Sequence, residues 1–166
     1  MGDFNRIDVV EGKRLEREFE LDSISYTDLQ MIHYEFVKKI VFDEALLSEK
    51  KISKPLILYA IKANEKILHN ISGDLSELEF RAEKINIWKF QESLKGEEKK
   101  FLKIILNGFS GKEDFEEAIN NDSATVSMFL SGEFFDSLAL GGSEFCKKHA
   151  EFVRQHRLLK PYKIFF

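Results

Sequence analysis

One cysteine, two prolines, one tryptophan and nine glycines in 166 residues leave this chain short of several chemistries and of most backbone punctuation. With Cys146 as the only cysteine, the chain can form no internal disulfide and no thiolate-rich zinc site, which suits a reducing compartment. So few prolines and glycines, in a chain rich in Glu, Lys, Leu and Ile, exclude a turn-rich β architecture and predict a mainly helical one. The longest apolar run, Leu56 to Ile61, is far too short to span a bilayer. Residues 1–6 lack the basic and apolar blocks of a secretory signal, and Arg6 stands where a myristoylation motif needs Ser or Thr. The expectation is a cytoplasmic protein that does not enter the membrane.

What the chain does have is apolar volume. Hydrophobic residues make up 43% of it, with sixteen Phe against four Tyr, enough to build one core without staples. The longest apolar stripe runs from Tyr26 to Leu47, through Leu29, Ile32, Phe36, Val37, Ile40 and Val41. Thr27 and Gln30 have the spacing of a capping box, with Tyr26 and Met31 as its hydrophobic staple. A second helix is expected, capped by Ser53 or Lys54, with Pro55 in its first turn and its stop at Gly73, its all-round apolar start at the centre of a bundle. A third begins at a Ser76/Glu79 box and buries Leu78, Ala82, Ile85 and Trp88. A fourth spans Glu97 to Gly108, and Ser110/Glu113 cap a fifth. Between Asn120 and Gly142 the pattern breaks into two short helices, around Phe129 and Phe134, before a last helix from Ser143.

The first 25 residues read differently. Leu15, Arg17, Phe19 and Leu21 alternate with Arg14, Glu16, Glu18 and Glu20, the period of a half-exposed strand. Its expected partner is the other end of the chain, Tyr162 to Phe166; otherwise the segment is an extended arm lying on the helices or reaching another chain. A helix over residues 11–21 is the alternative, since Glu and Arg also form good helices. The expected fold is therefore all-α: an irregular bundle of about five to seven helices, with a short extended or two-stranded segment formed by the termini. Residues 1–25 form the extended segment and 26–166 a single helical domain.

No residue pattern points to catalysis, a cofactor or a metal. His149 and His156 lie two turns apart, poor spacing for a shared metal, and read as packing residues. His33 and Glu35 fall on different helix faces, while Glu65 and His69 form a surface pair. Cys146 with His149 is the weakest enzymatic option. Gly108-Phe109-Ser110-Gly111-Lys112 is too short for a phosphate loop and follows a helix rather than a strand. Gly141-Gly142-Ser143 reads as a connector and cap.

Charge is more informative. Residues 97–140 hold nine acids against four bases, whereas 141–166 hold six bases against two acids. The partner-binding residues read from this end are Lys147, Lys148, Arg154, Arg157 and Lys160, with Phe165 and Phe166 as apolar anchors. The leading functional reading is a non-enzymatic protein-interaction module: an inhibitor, an immunity-type protein or a small helical subunit, docking on another protein with an acidic surface. The alternative is a nucleic-acid-associated subunit that contacts phosphates through the same basic helix and tail.

Overall fold

The computed structural model describes residues 6–161. Among them are eight α-helices and no strand, so the chain is all-α. The helices are α1 (Ile7–Glu18), α2 (Tyr26–Val41), α3 (Glu44–Glu49), α4 (Lys54–Ser72), α5 (Glu77–Ser93), α6 (Gly96–Leu106), α7 (Lys112–Asn120) and α8 (Val126–Arg154). The count exceeds the expected five to seven because the N-terminal segment is itself helical. None of them is long and apolar enough to cross a membrane.

The extended reading of residues 1–25 fails over 7–18. Leu15 does face inward, but with Asp8, Glu11 and Gly12, which together trace one helical stripe of mostly polar residues. Arg6 clamps the buried Asp8 carboxylate through Nε at 2.6 Å and a terminal guanidinium nitrogen at 2.9 Å, supplying the partner that a buried charge requires. Gly12 lets α1 lie against α8, since a Cβ there would come 2.1 Å from Ser131 Oγ. Among the described residues the two ends meet only in one antiparallel bridge, Phe19 with Pro161, and a 2.9 Å bond from Glu20 N–H to the Lys160 carbonyl, with no strand. The expected strand over Tyr162–Phe166 lies outside the described residues.

Several boundaries move for local reasons. Ser25, not Thr27, caps α2 by accepting the Asp28 N–H, and this places Ile24 and Leu29 at the staple positions. Gln30 is then free to turn inward. The stripe that reaches Leu47 is two helices, because the Asp43 side chain accepts the Leu46 N–H and starts α3. Ser53, Ser76 and Gly73 act as expected: two N-caps and a left-handed closing residue at φ 83°. Gly111, not Ser110, precedes α7, whose Glu113 N–H bonds to Glu77 Oε1 at 3.2 Å.

Two short helices were expected between 120 and 142. Instead α8 runs from its Thr125 cap past both and bends only at Gly142, where φ is 80° and ψ −172°. The bend brings Phe145 back over Gly141, leaving no room for a side chain there. Nor is the apolar start of α4 the centre of a bundle, since Leu58 points outward.

Buried side chains form two cores. One joins the end of α2 to α4, α5 and α6 around Phe36, Val37, Ile67, Phe80, Phe101 and Phe109. The other joins α1, the start of α2 and α8 around Leu15, Ile32, Phe134, Ala150 and Val153.

Candidate functional site

α5 carries two apolar stripes, and the core takes the one that sequence spacing did not favour. Phe80, Ile87 and Gln91 are buried, with Phe90 and Leu94 half-buried behind them. Phe80 stacks on Phe109 at 5.0 Å and Phe90 meets Tyr59 edge-on at 4.6 Å, contacts with no counterpart on the other stripe among the described residues. The expected buried set of Leu78, Ala82, Ile85 and Trp88 therefore faces out, with Leu78 76%, Ile85 46% and Trp88 51% exposed.

Trp88 forms one lip of a cleft of about 560 Å³ between α5 and the first half of α8, within the range of ligand-sized recesses. The facing lip is Met128 and Phe135, 57% and 45% exposed. Phe115 packs between Tyr26 and Phe129, at ring distances of 5.6 and 5.0 Å, and closes one end. Arg6 covers the outer face of Phe135 at 4.7 Å, a cation–π contact.

The floor is polar and tightly tied. Gln30 donates to the Gly108 carbonyl at 2.6 Å, and Asn70 donates to Gln30 Oε1 at 3.3 Å and to the Tyr26 hydroxyl at 3.1 Å. Tyr26 donates in turn to the Ser110 carbonyl, and burial pushes its phenol up to about 12. These bonds hold α2, α4 and the 107–111 turn in one register. Beside them, Glu133 Oε1 lies 2.9 Å from Nδ1 of the buried His33, at an angle too bent for a hydrogen bond. His33 Nε2 also lacks a hydrogen-bond partner among the described residues. Asn107 donates to Asp136 at 2.7 Å, and burial holds that carboxyl above its ordinary range despite this bond and nearby Lys103. Gly108 is required by His33, whose ring carbon would sit 2.4 Å from a Cβ there.

His149 and Cys146 behave as core groups. His149 stacks flat on Phe36 at 3.6 Å, meets Phe134 edge-on and shares a 2.7 Å bond between Nδ1 and Ser137 Oγ. Burial, then the nearby His33, hold its imidazole well below the usual histidine range. Ser137 and Cys146 are both fully buried, and burial pushes the thiol up to about 12, away from nucleophilic thiolate. His69 lies 3.6 Å from Asp74 rather than pairing with Glu65. Among the described residues no group of three His, Cys, Asp or Glu side chains is placed to hold a metal ion.

The basic end is partly consumed by its own chain. Arg154 bonds Glu18 at 2.6 Å and Glu151 at 3.4 Å, and Lys147 lies 3.6 Å from Glu144. These acids come from α1 and α8, not from the acidic block at 97–140. Lys148 edges a recess with Lys39, Phe145 and Phe152, Arg157 edges a groove with Asp28, Met31 and Glu35, and Lys160 is exposed. Phe165 and Phe166 lie outside the described residues.

The cleft was not foreseen because its members are scattered over α2, α5, α6 and α8, and because Trp88 was assigned to the core. One signal was available: Arg81 and Lys84 sit beside Ile85 and Trp88 on the helical surface, a charged setting for a buried stripe. No family model, no curated protein and no solved structure matches this chain.

Proposed function

We propose that the chain is a non-enzymatic, cytoplasmic protein-interaction module, an inhibitor, an immunity-type protein or a small subunit of an assembly, which receives its partner in the cleft between α5 and α8. The observation that carries this reading is the outward stripe of α5: Trp88 stays exposed opposite Met128 and Phe135 around one concavity, with Ile85 exposed at the neighbouring recess and Leu78 further along the same helix. Large apolar side chains gathered at a recess mark interaction surfaces, and Trp is the residue most often found dominating them. The rigid hydrogen-bonded floor supports the reading, since a preformed surface loses little entropy on docking. The basic end contributes less, because Arg154 and Lys147 already have partners within the chain.

The test compares the tagged full chain with Trp88→Glu/Phe135→Glu in the native host. Wild type is expected to retain one stoichiometric protein that the double variant loses, while both melt together because the two side chains are half exposed. A partner kept by the double variant removes the cleft as the interface.

A further inference from the structure

His33 is buried at the floor of the cleft, and neither of its ring nitrogens is hydrogen-bonded among the described residues. Glu133 of α8 brings Oε1 to 2.9 Å from Nδ1, and its side chain is only 13% exposed. A hydrogen bond from a neutral ring needs a near-straight approach, which this contact lacks. Coulomb attraction has no such angular requirement, and a pair this close and this sheltered is little screened. The contact therefore becomes strong only when the imidazole carries a proton.

The neighbours single out this pair. From α8 come Glu133, Asp136 and, beyond the bend, His149; α6 supplies Lys103 and α5 supplies Lys84 across the cleft. Asp136 is held by Asn107, with Lys103 nearby. The 107–111 turn and α4 bring Gly108, Asn107 and Ile67 to the same floor, none of them charged. On α2 itself, Gln30 is neutral and burial keeps the Tyr26 phenol protonated. His149 is not the proton acceptor, because its Nδ1 meets Ser137 Oγ rather than a carboxylate and burial favours its neutral form.

We propose that His33 and Glu133 form a proton-dependent latch between α2 and the first half of α8, fastened when the imidazole is charged and slack when it is neutral. Met128 and Phe135 stand on the same half of α8, so the latch ties one lip of the cleft to its floor. It also sets the charge of that floor: the neutral ring leaves the Glu133 carboxylate uncompensated, and the charged ring balances it. The stability it adds is present at acid pH and lost as pH rises, opposite in sign to the titration of His149. The device belongs to the chain itself and operates whether or not the cleft receives a partner.

The test is a double-mutant cycle of wild type, His33→Gln, Glu133→Gln and the double variant, each unfolded in denaturant at about pH 5 and about pH 8. At the acid end the double variant should lose less than the two single losses combined, the unfolding constants departing from additivity by roughly tenfold. At the alkaline end that departure should fall to about threefold or less. The same cycle on a His149→Gln background removes the other imidazole from all four proteins, and the coupling should persist. Wild type alone gives a second reading where a variant fails to fold: the ring-nitrogen NMR resonances of His33 should pass from the neutral to the charged pattern between about pH 8 and about pH 5 in the folded protein. Equal coupling at both ends, no coupling at the acid end, coupling that vanishes with His149, or a ring that stays neutral throughout overturns the latch.

Discussion

The two cores are built on different principles. Around α4, α5 and α6, large rings and branched chains fill space: Phe80 on Phe109, Phe90 on Tyr59, and Phe101, Leu102, Ile104 and Ile105 all buried from one helix. Around α1 and α8, close approach and paired polar groups join the apolar packing of Leu15, Leu130 and Phe134: Gly12 lies against Ser131, Arg6 on buried Asp8 and Ser137 on His149. The first kind of core tolerates imprecise geometry and yields area; the second depends on satisfying each buried polar atom. The cleft lies where the two meet, which is why its lips are apolar and its floor polar.

That contrast can be broken most sharply in the volume-filled half. Phe109→Ala should cost about 3–5 kcal/mol in denaturant unfolding, through lost transfer energy and a cavity under Phe80; a loss below about 1 kcal/mol would show that this core collapses around the gap. At the junction, Gly108→Ala drives a methyl into the His33 ring and Ile67, for an expected loss of about 1–3 kcal/mol. Combined with His33→Ala it should cost less than the sum of the two single changes, and simple additivity would deny the contact.

The polar half should show itself through pH. Since the folded-state pKa of His149 is depressed, the unfolded chain takes up a proton that the folded chain refuses. Its neutral form is accommodated above the unfolded value of 6.5, and stability falls as pH drops below it, by about 1.4 kcal/mol per unit until the folded imidazole itself titrates. His149→Gln should flatten that slope between pH 5.5 and 6.5, and an unchanged slope would assign it to other groups. The smallest effect belongs to Glu18 and Arg154, an exposed pair between α1 and α8. Glu18→Gln should lower the melting temperature only slightly, and the difference should shrink further in salt. A large drop would mean that this pair, rather than Gly12 and Leu15, holds the two helices together.

Helical class was legible because it follows from composition and local spacing. Ser53, Ser76 and Gly73 were readable for the same reason, since a cap is decided by its own turn. Helix α1 was legible only as the second reading, a helix over 11–21 from the propensity of Glu and Arg: its inward stripe is Asp8, Glu11, Gly12 and Leu15, and hydrophobic periodicity cannot register a face made of carboxylates and a glycine. The alternation from Arg14 to Leu21 imitated a strand because Glu and Arg serve either conformation at a surface.

By itself, then, the sequence determined an all-α chain with its helix starts at Ser53 and Ser76 and its left-handed stop at Gly73, all set by interactions within a few residues. Only the tertiary structure decided which stripe of α5 is buried, because that choice depends on whether Phe109 and Tyr59 are there to receive Phe80 and Phe90. The same choice left Trp88 outside, opposite Met128 and Phe135. A helix with two apolar faces carries no local information about which one will find a partner, so the cleft exists only once α6 and α8 have packed.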